Sequence, residues 1–142
     1  MPKFFIKMSL KVSGIEHIGI AVKALETSIP IFESLLGCKC YKIEDVKSQN
    51  VRTAFFDVGG VKIELLESMN ETSSIEKFIN KRGEGLHHIA LKVENTDKSL
   101  EEASKLGFDL IDTKSRMGAD GLKIGFLNPL TTNKILFELT SK

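Results

Sequence analysis

Two histidines and two glutamates carry the chemistry this sequence offers. His17 lies in Ile15-Glu16-His17-Ile18-Gly19-Ile20-Ala21-Val22 and His88 in Gly85-Leu86-His87-His88-Ile89-Ala90-Leu91-Lys92-Val93, segments alike in residue type and order and 71 residues apart. Glu64, in Val61-Lys62-Ile63-Glu64-Leu65-Leu66, and Glu138, in Ile135-Leu136-Phe137-Glu138-Leu139, are 74 residues apart. Each half of the chain therefore opens on an imidazole and closes on a carboxylate. Taken alone, a strand histidine or a glutamate between apolar neighbours is an ordinary polar residue. In two repeated units whose sheets pair about a pseudo-twofold axis, equivalent positions surround one centre, and the four side chains converge. Two neutral imidazoles and two carboxylates suit a divalent first-row cation, the two negative charges matching the two positive ones. Four protein ligands on an octahedral ion leave two positions for water or for two oxygens of a chelating substrate.

The elements that must position these groups follow from periodicity. Glu16 to Val22 reads as a strand sending Ile18, Ile20 and Val22 to one face and His17, Gly19 and Ala21 to the other, a small, open face with a polar group at its rim. Leu25 to Leu36 reads as an amphipathic helix burying Ile29, Phe32, Leu35 and Leu36, with Thr27 or Ser28 as N-cap, Pro30 in the first turn and Gly37 as its stop. Strands are expected over Cys38 to Ile43, Val51 to Val58 and, after a Gly59-Gly60 turn, Val61 to Leu66. A polar connector contains a short helix, Ile75 to Asn80, capped by Ser73 or Ser74. The order then repeats: strand His88 to Val93, a helix capped by Asn95 or Thr96 and stopped at Gly107 with Leu100, Ala103 and Leu106 buried, and strands Phe108 to Ile111, Leu122 to Leu127 and Lys134 to Leu139.

The fold expected is thus α+β. Two tandem βαβββ modules, 14–67 and 86–142, are joined by a connector over 68–85 and preceded by an extension over 1–13, and together they form one domain with a curved mixed sheet around a central metal cleft. Strand alternation sends His87 and His88 to opposite faces, so only His88, the mate of His17, should line the cleft. Glu64 shares its face with Lys62 and Leu66, while Ile63 and Leu65 point to the helices.

Bulk properties exclude several classes. A net charge of +1 with scattered lysines provides no footprint for nucleic acid. No apolar run approaches the ~20 residues of a membrane span, and the first residues lack the h-region of a signal peptide, so a cytoplasmic location is expected. Cys38 and Cys40 form a lone C-x-C without a second pair, which excludes a thiolate zinc knot and leaves them as reduced thiols of no assigned role.

With these residues in place, the sequence from about Gly14 to Thr140 resembles the vicinal oxygen chelate superfamily, and within it the methylmalonyl-CoA epimerases. The five segments that carry the resemblance are Glu16 to Val22, Val61 to Glu67, Gly85 to Ala90, Gly118-Ala119-Asp120-Gly121, and Phe126-Leu127-Asn128-Pro129 leading to Leu136-Phe137-Glu138-Leu139. The resemblance implies a glyoxalase-like fold, a homodimer, an acyl-CoA thioester substrate, and one divalent ion per chain (Co, Mn, Ni or Zn) held by His17, Glu64, His88 and Glu138. Some epimerases of this type carry Gln at the position of Glu64. The implied reaction removes and returns the proton between a thioester carbonyl and a carboxylate, with Glu138 as one acid–base group. Where some relatives have a further glutamate on the third strand of the first module this chain has Thr53, which leaves Glu64, the mate of Glu138, or a relaying water as the second acid–base group. Glyoxalase I, a lyase of the same superfamily acting on a glutathione hemithioacetal, or another vicinal oxygen chelate enzyme, is the alternative. The Phe-Tyr usual in the first helix of glyoxalase I is Ile31-Phe32 here, and its Asp-Pro-Asp-Gly before the last strand is Asn128-Pro129-Leu130-Thr131. The epimerase pattern is also not fully met, since a Gly-Gly pair common in it is Asn133-Lys134 here. Lys114, Arg116 and Lys123, the cations nearest the site in sequence, read as solvated charge.

Overall fold

The computed structural model describes residues 9–142, so most of the expected N-terminal extension lies outside the described residues. The strands are β1 (Gly14–Ala21), β2 (Lys42–Val46), β3 (Val51–Val58), β4 (Val61–Ser68), β5 (Gly85–Lys92), β6 (Arg116–Met117), β7 (Lys123–Phe126) and β8 (Phe137–Ser141); the helices are α1 (Leu25–Leu36), α2 (Ser74–Arg82) and α3 (Thr96–Lys105). They form one curled mixed sheet of eight strands in the order β2-β3-β4-β1-β5-β8-β7-β6. The left half of that order mirrors the right. β1 runs parallel to β4, β5 runs parallel to β8, and β1 and β5 meet antiparallel at the centre.

Register makes the pseudo-symmetry explicit. His17 faces Ala90 and Gly19 faces His88 across the β1–β5 ladder, with Ile18 opposite Ile89 between them. Gly19 lies beside Glu64 on β4, as Ala90 lies beside Glu138 on β8. The alternation of β1 sends Ile20 to the helical side, where Val22, Leu25, Ala54, Phe56 and Leu65 form a core with Ile29, Phe32 and Leu36 of α1. Burial of Phe56 and Leu65 is complete and contributes ~1.5–3 kcal/mol each. Leu100 and Ala103 of α3 build the equivalent core of the second half with Leu127 and Leu139, whereas Leu106 is only half-buried.

Several local expectations change. α1 starts at Leu25, so neither Thr27 nor Ser28 caps it and Pro30 lies inside the helix rather than in its first turn. A carboxylate from the neighbouring strand supplies the cap: the Leu25 N–H donates to Glu67 Oε1 at 2.8 Å. Pro30 is exposed, so the carbonyl its ring leaves without a partner faces water. Leu35, expected in the buried stripe, is 73% exposed. The strand expected at Cys38 begins only at Lys42. Phe108 to Ile111 forms a single bridge, Leu110 to Leu127, and the edge position of the second half is taken by β6, inside the segment expected to be loop. The last strand starts at Phe137 instead of Lys134, because Asn133 and Lys134 both adopt left-handed backbone at φ 55° and 68°. Gly37 ends α1 in the left-handed region with its N–H on the Glu33 carbonyl, and Ser73 and Asn95 cap α2 and α3 as expected.

Candidate metal centre and its cavity

His17, His88, Glu64 and Glu138 are all buried, and all four line one cavity of about 330 Å³. The ladder brings the two imidazoles together, with Nε2 of His17 at 2.9 Å from Nε2 of His88 and the rings edge-on at 87°. Glu138 Oε1 is 3.5 Å from His88 Nε2 and Glu138 Oε2 is 3.6 Å from His17 Nε2. These three residues offer one ligand atom each within 4.8 Å of one another. Glu64 stands on the other edge of the same ring, its Oε2 3.1 Å from His17 Nδ1, and forms a second such group with His17 and Glu16. Three of the expected four, His17, His88 and Glu138, thus form one group, whereas Glu64 meets only His17 among them, in a separate group with Glu16.

Gly19 explains how the rings fit. A Cβ at this position would lie 2.3 Å from His88 Cε1, so the imidazole occupies the space that any larger side chain would fill. Phe126 packs edge-on against the other side of His88 at 5.5 Å between centroids.

Two residues of the site are not foreseen by strand alternation. The β1–β5 ladder is irregular between Ile15 and His17 and again between Gly19 and Ile20, where the partner jumps from His88 to Leu86. Such bulges leave one residue unpaired and re-aim its side chain. Glu16 and His87 are the residues skipped. Glu16 Oε1 accepts from His17 Nδ1 at 2.7 Å, and His87 Nδ1 lies 2.9 Å from His88 Nδ1. The expectation that only one of His87 and His88 lines the cavity is thus corrected: both do. His87 also packs edge-on against Phe78 of α2.

The contacts form a chain of hydrogen bonds from Glu16 through His17 and His88 to His87. Two facing ring nitrogens at hydrogen-bond distance require one proton between them. With Glu16 ionised, His17 donates from Nδ1 to Glu16, and the tautomers of His88 and His87 decide which ring donates at the other two contacts. Burial opposes charge on His17, but the hydrogen bond to Glu16 and the nearby Glu64 and Glu138 outweigh it and raise its pKa. Burial, then the neighbouring His17 and His87, hold His88 well below the ordinary histidine value, and burial together with Arg82 lowers His87 to about 4. His87 and His88 are therefore neutral at pH 7. Burial would raise Glu16, yet its bonds to His17 and Lys62 bring it down.

A cation fits this site. Burial drives Glu64 and Glu138 up to about 7, the signature of carboxylates lacking a positive partner. Glu138 Oε2 is buried with no hydrogen-bond partner. Removing the proton between the two Nε2 atoms leaves two imidazole lone pairs and this carboxylate directed at one place. With Nδ1 of His17 on Glu16 and Nδ1 of His88 on His87, the Nε2 atoms are the ring nitrogens left to meet a cation.

The cavity wall includes Thr53, Leu66, Ile124, Phe126 and Gln49, whose buried Nε2 has no partner. Arg116 also reaches it, paired with Asp112 at 3.3 Å. Asp120 bridges Lys42 (2.6 Å) and Lys62 (2.7 Å), and Lys62 continues to Glu16 at 2.8 Å.

Comparison with known proteins places these features in a family. Residues 16–126 match the model of the Glyoxalase/Bleomycin resistance protein/Dioxygenase superfamily. The chain is 40% identical over 125 residues to the uncharacterized protein YqjC of Bacillus subtilis, covering 88% of this chain and 89% of that one. The crystal structure of methylmalonyl-CoA epimerase from Mycobacterium tuberculosis superposes with a TM-score of 0.87 at 30% identity, over 93% of this chain and 89% of that chain. A Streptomyces coelicolor methylmalonyl-CoA epimerase in complex with 2-nitronate-propionyl-CoA gives 0.84 at 30% identity, over 92% and 94%.

Proposed function

Because the chain belongs to the glyoxalase/bleomycin resistance protein/dioxygenase superfamily, we propose that it is a metal-dependent epimerase interconverting (2R)- and (2S)-methylmalonyl-CoA. The observation that carries this reading is the buried pair of Nε2 atoms 2.9 Å apart beside a carboxylate oxygen without a partner, at the wall of a substrate-sized cavity. His17, His88 and Glu138 hold the ion, with Glu64 as the fourth ligand. A divalent ion held there would supply Lewis-acid chemistry to a thioester carbonyl.

The remaining roles belong to the chain's own groups. Epimerisation needs a proton acceptor and a donor on opposite faces of a planar intermediate. Glu138 and Glu64 come from pseudo-equivalent strands on the two sides of the cleft, so one takes the C2 proton and the other returns a proton to the opposite face. Positioned general acid–base groups of this kind contribute ~10²–10⁴-fold. Thr53 is buried in the wall and its hydroxyl is too weak an acid to serve alone. Gln49 Nε2 and Arg116 are the donors available to a substrate carboxylate.

Among the described residues no helix is long and apolar enough to cross a membrane. A cytoplasmic homodimer acting on a free acyl-CoA completes the proposal, and sedimentation velocity tests the dimer. For the reaction, incubation of the metal-loaded protein with (2R)-methylmalonyl-CoA in heavy water is expected to place deuterium at C2. Formation of S-lactoylglutathione from methylglyoxal and glutathione, without exchange at C2, would instead identify the lyase.

A further inference from the structure

A second groove opens beside the metal cavity. It measures about 490 Å³ and shares Ser74, His87, His88 and Leu136 with it. Phe78 of α2 and Ile135 of the turn before β8 give it an apolar lining. Lys77, Lys81 and Arg82 line it from α2, and Lys134 lines it from that turn. No aspartate or glutamate lines the groove, and among the described residues none of these four cations is in an ion pair. The Arg82 guanidinium lies 5.7 Å over the Phe78 ring instead. Elsewhere Lys42, Arg52, Lys62 and Arg116 each have a carboxylate partner.

Lys134 is held there against the preference of its own backbone. Asn133 and Lys134 are consecutive non-glycine residues at φ 55° and 68°, a region that the Cβ of an L residue disfavours. The turn is fixed by the Lys134 N–H on the Pro129 carbonyl at 2.8 Å. Glycine would occupy either position without that cost. A lysine kept in such a conformation brings a charge to a chosen place, and strain of this sort collects at functional sites.

We propose that this groove binds the phosphates of the nucleotide thioester whose acyl end enters the metal cavity, with Lys134 as a specificity-determining contact. The inference rests on the acyl-CoA reading above and adds where the nucleotide goes. Ser74 lines both cavities, while Arg82 stands eight residues further along α2, about 12 Å away at the helical rise. The groove thus extends along α2 from the residue that lines both cavities. Lysine ammonium groups and an arginine fork suit several phosphate oxygens.

Calorimetric titration of the metal-loaded protein with coenzyme A tests the groove. The wild type is expected to bind, Lys134→Gly to bind about tenfold more weakly, the loss of one charge-assisted contact, and Lys81→Glu with Arg82→Glu more weakly still. Metal content should be unchanged, and the Lys134→Gly midpoint of unfolding should hold or rise, since glycine relieves the backbone. If coenzyme A binds the wild type and all these variants equally, the groove is not the phosphate site and the acyl-CoA reading stands without it. If the wild type itself does not bind coenzyme A, both fall. Variants that turn a dimer into a monomer with coenzyme A affinity intact would make the groove a contact between copies and overturn the proposal.

Discussion

At the scale of single residues, the site is a set of buried groups waiting for positive charge. Proton and metal compete for the Nε2 of His17, whose pKa is raised, and for Glu64 and Glu138 at about 7. Metal binding is therefore expected to release protons and to weaken as pH falls below about 7, which titration calorimetry in buffers of different ionisation enthalpy reads directly. The same shifts set the stability of the metal-free protein. A carboxyl whose folded pKa is raised from 4.5 to about 7 contributes stability that is fully present below 4.5 and lost as pH rises through 7. His17 acts in the same sense, and the depressed His87 and His88 add little above their ordinary value of 6.5. The metal-free midpoint of unfolding should thus fall as pH rises from 6.5 through about 7. Glu138→Gln should flatten that fall while reducing epimerisation by ~10²–10⁴-fold; full activity in this variant would remove Glu138 as an acid–base group. His87→Ala is expected to weaken metal binding by ~10–100-fold through loss of the hydrogen-bond partner of His88 Nδ1, and His87→Gln, which keeps a partner, by less. His17, His88, Glu64 and Glu138 were legible in the sequence because duplication marks them twice. Glu16 and His87 were not, because a bulge cancels the alternation on which a strand reading depends.

At the scale of elements, strand pairing and small residues set the geometry of the histidine and glutamate cluster. Gly19→Ala would place a methyl 2.3 Å from the His88 ring, so the ring or the β1–β5 ladder must shift. The expected result is a loss of ~1–3 kcal/mol together with weakened metal binding, checked by denaturant unfolding and metal competition. Ala90, the symmetry mate, already carries that methyl, so the two halves are not interchangeable. α1 gives a second case. Its N-terminus depends on Glu67 from β4, and Glu67→Ala should cost ~0.5–2 kcal/mol as other lost caps do, measurable by denaturant unfolding without change in metal content. Helix α1 was readable over its full length from apolar spacing and Gly37, yet its cap was not, because the capping carboxylate is distant in sequence. The failed strand at Phe108 to Ile111 has a similar cause. Its apolar residues are claimed by the α3 core, where Phe108 and Leu110 pack, and the sheet edge passes to the polar β6.

At the scale of the whole molecule, the repeated unit turns two unremarkable halves into one site. The architecture was legible because the offset between halves is nearly constant and each parallel pair, β1–β4 and β5–β8, sets a carboxylate beside a small residue. What sequence did not disclose is how the halves are fastened across the cleft. Asp120, a non-glycine residue at φ 62° between β6 and β7, joins Lys42 and Lys62 of the first half, and Lys62 reaches Glu16 behind His17. The central claim is that one imidazole and one carboxylate from each half hold a single ion. Equilibrium dialysis of the metal-stripped protein against Co²⁺, followed by metal analysis, tests it most directly when wild type, His17→Ala and Glu138→Ala are compared. One ion per chain, lost in both variants although one changes the first half and the other the second, is the predicted result; retention of the full ion by either variant would contradict it.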